Sequence, residues 1–208
     1  MRKTAAVEVH PPGILRRWIE RLRGRHQLLV RGAECMPLLL LSFPRGQSEA
    51  ARELEAAYAR TLPGLLDRDF LAPYRKMFTK LPSMVVVLLR PTNLCGCLGH
   101  HHPPGTESRL TRRLAADLGS PVGEIDLAYD AIREWSPQPL SALAAGELGG
   151  QLPALHFEAA ILAVLLHELE HLAFPEHSEK DVRRASNRLY TALMDDLVRK
   201  EAGLGYGM

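Results

Sequence analysis

The apolar and polar residues of this chain follow two periods, which predict a mixture of helices and strands. Short apolar runs at residues 37–43 and 83–90 are typical of buried strands. Residues 27–31 are a further candidate strand, and residues 123–129 alternate apolar with polar positions, which predicts a half-buried edge strand. Apolar residues at helical spacing predict helices over residues 13–24, 48–62, 65–81 (one helix or two), 108–118, 155–174 and 178–201.

We expect the last two of these helices to form the core of the molecule. The helix over 155–174 is apolar nearly all round, so we expect it to be central. The following helix begins at Ser178 and Asp181, which resemble a capping box. Its buried face includes Asp196, which would hold either a metal-bound imidazole or an arginine, and Tyr190, which would stabilise an oxyanion or simply pack. Together these elements predict an α/β fold, with a small mixed sheet above the central helix and a C-terminal helix beside it.

Composition narrows the class of protein. With 208 residues, 46% of them hydrophobic and 24% charged, the chain is typical of one soluble domain spanning residues 1–208. Residues 1–31 carry a net charge of +6 and the remainder about −4, and a solvated basic segment explains this better than binding of nucleic acid.

The apolar runs are too short to span a bilayer, and Pro11 and Pro12 stand where a signal peptide would be apolar. With three cysteines and no disulfide framework expected, we predict a cytoplasmic location.

The central helix carries the pattern HExxH, formed by His167, Glu168 and His171. Residues four apart share one helix face, so both imidazoles can bind one metal ion, and nitrogen ligands at this spacing suit Zn²⁺. Glu168 can then reach a water that the metal activates and act as its general base. The sequence therefore predicts one zinc ion per chain. Such an ion would also explain why a buried helix carries two histidines and two glutamates, since unpaired buried carboxylates are costly.

The segment His167–His177, HELEHLAFPEH, resembles the zincin metallopeptidases, and in particular the metzincin pattern HExxHxxGxxH. Phe174 stands where that pattern has Gly, and the chain shows no Met-turn. The resemblance implies a single zincin-like domain in which His177 is the third zinc ligand. The alternatives for this ligand are acidic residues from the turn or from the last helix: Glu176, Glu179, Asp181 and Asp196.

The same resemblance implies a zinc metallopeptidase with a peptide or protein substrate that pairs with an edge strand. Glu168 is the expected general base, although Glu170 completes the inverted pattern HxxEH. Narrow specificity or a regulatory protein partner would protect other cytoplasmic proteins. Three alternatives remain: a zincin fold that binds a metal or a partner without turnover, a deformylase-like enzyme with Cys97, and an endoribonuclease-like metallohydrolase.

A second unusual stretch runs from Cys95 to His102 and contains two cysteines and three histidines. In an extended chain Cys95 and Cys97 would point to one side, and His100 and His102 to the other, so a single ion would need a turn at Gly99. The sequence leaves three interpretations open. The stretch would hold a second, structural zinc, line a substrate groove, or be an ordinary loop with buried thiols.

Overall fold

The computed structural model describes residues 26–93, 95–135 and 152–201 of the chain. Within these residues the strands are β1 (His26–Val30), β2 (Leu38–Phe43), β3 (Met84–Arg90), β4 (Gly99–His101) and β5 (Gly123–Ala128). They form one mixed sheet with the order β1–β2–β3–β5–β4. The central strands β2, β3 and β5 are parallel, whereas β1 and β4 pair antiparallel at the two edges.

Helices cover both faces of the sheet. The α-helices of the described residues are α1 (Ser48–Ala56, continued by a π-helical turn, Ala57–Thr61), α2 (Leu62–Leu65), α3 (Ala72–Phe78), α4 (Arg109–Leu118), α5 (Tyr129–Glu134), α6 (Leu152–Ala173) and α7 (Glu179–Glu201). On one face lie the long helices α6 and α7, and the main core forms between them and the sheet. The other face packs against α4 through a smaller cluster that includes Val86, Leu88 and Leu114.

The continuous apolar runs of β2 and β3 follow from their central position. A strand covered by helices on both faces needs apolar side chains in both directions. Leu39 and Leu41 therefore enter the main core, whereas Leu40 enters the smaller cluster beside α4. The same alternation along β3 places Val87 in the main core and Val86 on the other side.

The α/β fold predicted from the sequence is confirmed, and the strands expected at residues 27–31, 37–43 and 83–90 are β1, β2 and β3. The helix expected at residues 13–24 lies outside the described residues, as does most of the basic segment 1–31. No helix among the described residues has the length and apolar character needed to cross a membrane.

The prediction that residues 123–129 form a half-buried edge strand is wrong. β5 lies between β3 and β4, and all six of its residues are buried. Its two acidic side chains have different partners: Asp126 pairs with Arg90 at 3.1 Å, whereas Glu124 lies beneath the start of α4. Glu124, fully buried, accepts hydrogen bonds from the backbone N–H of Ser108 (2.9 Å), from the Ser108 hydroxyl and from the Thr111 hydroxyl. A carboxylate beside a helix N-terminus is also favoured by the helix dipole, so Glu124 is stable as a buried polar side chain on this face of β5.

Replacing Glu124 with Ala should destabilise the protein by about 3 kcal/mol. The substitution leaves the donors of half-buried Ser108 and buried Thr111 without their acceptor, and each such loss costs on the order of 1–3 kcal/mol. Urea denaturation measures the change in the free energy of unfolding. Glu34→Ala, at an exposed position, is the control and should lie within about 0.5 kcal/mol of wild type. Equal stability of the two variants would contradict this account of β5.

Candidate metal centre

His167 and His171 lie near the C-terminal end of α6, one helical turn apart on the same face. Their ring centroids are 4.9 Å apart. His171 is buried and its ring stacks on His101 of β4, with centroids 4.8 Å apart and planes inclined by 20°. The pair is thus held between the central helix and the edge strand.

The third member of the cluster is Glu179, the first residue of α7. The Ser178 hydroxyl accepts a hydrogen bond from the backbone N–H of Asp181 (3.2 Å), which is the serine half of the predicted capping box and marks the start of α7. The Asp181 carboxylate accepts a hydrogen bond from the Ser178 hydroxyl at 2.6 Å. Glu179 Oε2 then lies 3.1 Å from His171 Nε2 and 3.5 Å from His167 Nε2. Its other oxygen, Oε1, accepts a hydrogen bond from Arg183 Nη2 at 2.8 Å.

A serine on α7 sets the orientation of His167. The Ser186 hydroxyl donates to the carbonyl oxygen of Val182 (2.9 Å), so its oxygen is left to accept from Nδ1 of His167, also at 2.9 Å. The proton of the imidazole therefore belongs on Nδ1, and the lone pair of Nε2 faces Glu179. An oriented imidazole with a hydrogen-bonded Nδ1–H is the usual arrangement of a metal-binding histidine.

The electrostatics of the cluster favour an uncharged histidine beside an ionised carboxyl. Burial lowers the pKa of His167, and this outweighs the opposite effect of the nearby carboxylates of Glu168 and Glu179. Partial burial acts to raise the pKa of Glu179, but the hydrogen bond from Arg183 and the adjacent histidines lower it overall. Neutral imidazole and carboxylate are the protonation states in which these groups bind metals.

The donor set fits a zinc ion. Two imidazole nitrogens and one carboxylate oxygen lie within 4.8 Å of one another in the cluster His167, His171 and Glu179. Ligands at about 2.0–2.2 Å from a tetrahedral centre are separated by about 3.3–3.6 Å, close to the two nitrogen–oxygen distances of 3.1 and 3.5 Å. Three protein ligands leave a fourth position open, which is characteristic of catalytic rather than structural zinc.

Glu168 lies beside this cluster and is buried. Its Oε1 is 3.9 Å from His167 Nε2, and its Oε2 is 3.6 Å from His101 Nδ1. Gly99 of β4 packs directly against it, so closely that a Cβ at position 99 would lie 2.5 Å from Glu168 Oε1 and 2.6 Å from its Cγ. The absence of a side chain at Gly99 therefore makes room for this carboxylate under the edge strand.

His177, the third ligand predicted from the sequence, is not brought into this cluster. Its Nδ1 pairs with Glu170 Oε1 at 2.9 Å, and its ring stacks on Phe174. The chain leaves α6 without a left-handed residue, because no non-glycine residue in the described part has a positive φ. The turn closes instead by a hydrogen bond from the His177 N–H to the Phe174 carbonyl at 3.0 Å, and Glu179 follows it towards the two histidines.

Several other residues singled out in the sequence have structural neighbours. Glu170 faces His177 rather than the cluster, and Asp196 pairs with Arg68 (3.6 Å). The hydroxyl of buried Tyr190 is hydrogen-bonded to Nδ1 of His156 at 2.6 Å, and its ring packs edge-on against Trp135. Cys97 is joined by a disulfide to Cys95, so the expectation of unpaired thiols is wrong for this pair.

Two cavities flank the cluster. One, of about 520 Å³, is lined by Cys97, Gly99, Trp135, Glu168 and Arg183, among others. The other, of about 460 Å³, lies beyond His101 and His171 and is mainly apolar, with several prolines in its wall. The candidate metal centre thus lies between two spaces that one extended ligand could occupy together.

Sequence reasoning overlooked Ser186, although it had a usable signal, because it lies seven positions after Glu179 and therefore on the same face of α7. Gly99 and His101 belong to the stretch that the sequence already singled out, with the lining of a substrate groove as one interpretation. Their contacts with Glu168 and His171 were not foreseen, since the approach of β4 to α6 depends on the strand order of the sheet.

Replacing Gly99 with Ala should destabilise the protein by about 1–3 kcal/mol, because the new methyl group overlaps the Glu168 side chain. Gly46→Ala is a matched control, since a Cβ there would meet no atom within 4 Å. It should be neutral or up to about 1 kcal/mol stabilising. Thermal or urea unfolding of both variants is the measurement, and a neutral Gly99→Ala would contradict the close packing of β4 on Glu168.

Comparison of the chain with protein-family models, with curated proteins and with solved structures gives no match in any of the three.

Proposed function

We propose that the protein is a zinc-dependent hydrolase, and specifically a metallopeptidase, in which His167, His171 and Glu179 hold the metal and Glu168 is the general base. The observation that carries this proposal is the convergence of both Nε2 atoms on one carboxylate oxygen, with a buried second carboxylate alongside. Glu179 takes the place that the sequence assigned to His177, as in zincins whose third ligand comes from a later helix.

A zinc ion held by these residues would supply Lewis acidity, which lowers the pKa of a coordinated water towards neutrality. Glu168 is within reach of the same centre and would accept the proton of that water as it attacks a substrate carbonyl. The carboxyl group would then return the proton to the leaving amine. Burial beneath Gly99 keeps the Glu168 carboxylate in one orientation, which favours this transfer.

A peptide is the substrate class that suits the surroundings of the centre. β4 is an edge strand of the described sheet, and it carries His101 and Gly99 directly over the HExxH residues. An extended peptide added to such an edge would gain main-chain hydrogen bonds and place side chains in the two flanking cavities. β4 thus takes the role that the sequence assigned to residues 123–129.

Untagged protein loaded with zinc and dialysed should retain about one zinc ion per chain by plasma mass spectrometry. Glu179→Ala should lose most of this metal, because one of three ligands is removed. His177→Ala should retain it, because that imidazole pairs with Glu170 instead. Glu176→Ala, at an exposed position two residues after the same turn begins, is the matched acidic control and should also retain zinc.

Loss of zinc from His177→Ala together with its retention in Glu179→Ala would restore the ligand set expected from the sequence. Retention in every variant would remove Glu179 from the proposed ligand set, provided that circular dichroism shows each variant to be folded.

Glu168→Gln should keep its zinc but lose about 10²–10⁴-fold in hydrolysis, since the amide has no basic oxygen for the water proton. A mixture of synthetic peptides analysed by mass spectrometry serves as the substrate, before and after removal of metal with a chelator. Cleavage that survives both the substitution and the chelator would contradict the mechanism. Zinc binding without any cleavage by wild type would support the alternative of a metal-binding protein without turnover.

A further inference from the structure

The segment before β4 forms a tight turn that brings two sulfur atoms together. Gly96 has φ +70°, a left-handed conformation that suits glycine, and its N–H donates to the carbonyl of Asn93 at 3.0 Å. The Asn93 side-chain amide in turn donates to the carbonyl of Cys97 at 3.0 Å. The turn thus occurs at Gly96 rather than at Gly99, and Cys95 and Cys97 are linked by a disulfide with their Cα atoms 5.3 Å apart.

His100, at the start of β4, faces the same point. One ring nitrogen of His100 and the two Sγ atoms lie within 4.8 Å of one another. Cys95 and His100 are exposed, and Cys97 is half-buried. The group is therefore accessible to solutes, and it shares no ligand with the cluster of His167, His171 and Glu179.

The disulfide itself adds little to the stability of the fold. Cross-links stabilise chiefly by restricting the unfolded chain, and this effect diminishes as the loop they close becomes shorter. Cys95 and Cys97 are separated by two positions, so their loop is among the smallest that a disulfide closes. Stabilisation of the fold therefore does not explain why a glycine turn and an asparagine hydrogen bond hold the two sulfur atoms together.

We propose that reduction of the Cys95–Cys97 disulfide creates a second metal site, in which both thiolates and His100 bind a thiophilic ion such as Zn²⁺ or Cu⁺. A dithiol reductant supplies two electrons and two protons, which break the S–S bond and leave two thiols, while the reductant becomes a disulfide. Metal binding then releases the two thiol protons. The oxidised pair has no thiolate to offer, so the disulfide and the bound ion exclude each other.

The ligand chemistry selects this class of ion. Thiolate favours soft or borderline metals with filled d shells over Mg²⁺ or Ca²⁺, and imidazole is compatible with the same ions. Cys97 also lines the cavity that contains His167 and Glu168, so the second site opens on the same space as the first. Its existence does not depend on the proposed hydrolase activity.

The test compares oxidised and dithiol-reduced protein, freed of reductant under anaerobic conditions and titrated with Cd²⁺ as a probe for thiolate ligands. Reduction should add one equivalent of bound metal per chain, together with the ultraviolet charge-transfer absorption of cadmium thiolate.

Cys95→Ser and Cys97→Ser should each lose this added equivalent. Cys35→Ser is the matched control, because Cys35 is exposed and free, and it should behave as wild type. His100→Ala should bind the added ion more weakly than wild type in competition with a chelator.

The proposal is overturned if reduction adds no metal, or if the added equivalent survives both cysteine substitutions or disappears in Cys35→Ser. An unaltered affinity in His100→Ala would overturn the assignment of the third ligand. Because the measured quantity is a difference between two redox states, failure of the first metal site leaves it unaffected. That failure would appear instead as oxidised protein without metal.

Discussion

The burial of α6 is the constraint on which the rest of the structure depends. From Leu155 onwards most of its side chains are buried between the sheet and α7, and the helix contributes more apolar residues to the core than any strand. Polar groups can remain in such a position only when each has a partner, since an unpaired buried carboxylate or imidazole is costly. Apart from the contacts that they make with one another, His167, Glu168 and His171 find their partners on β4 and α7, so the site is complete only where these elements pack on α6.

The two elements that supply these partners, α7 and β4, are each positioned by local interactions. Ser178 caps α7 and thereby places Glu179 in its first turn, where a carboxylate also benefits from the helix dipole. Antiparallel pairing with β5 holds β4, and β5 is held in turn by the carboxylate of Glu124 beneath the start of α4. The site is therefore supported from both faces of the sheet, although only one face carries the candidate chemistry.

The sequence predicted the elements that local pattern controls and missed what depends on their arrangement. HExxH specifies a helical face, and β2 and β3 are recognisable from their apolar runs alone. The central position of β5 could not be recognised in this way, because its acidic residues look solvent-facing until Glu124 is paired with the start of α4 and Asp126 with Arg90. That Glu179 rather than His177 lies beside the two histidines depends on the direction in which the chain leaves α6. That turn contains no residue in the left-handed conformation, and the spacing of the histidines alone does not reveal this.

The contact between Gly99 and Glu168 links two positions that are far apart in sequence. Any side chain at position 99 requires the space that the carboxylate now occupies. Among homologues, residues larger than glycine at this position should therefore coincide with a shorter or absent acid at the position of Glu168. The residues at positions 99 and 168 would then form a signature that can be read from sequence alone. It would separate homologues that retain the carboxylate from homologues that have a larger residue on the edge strand in its place.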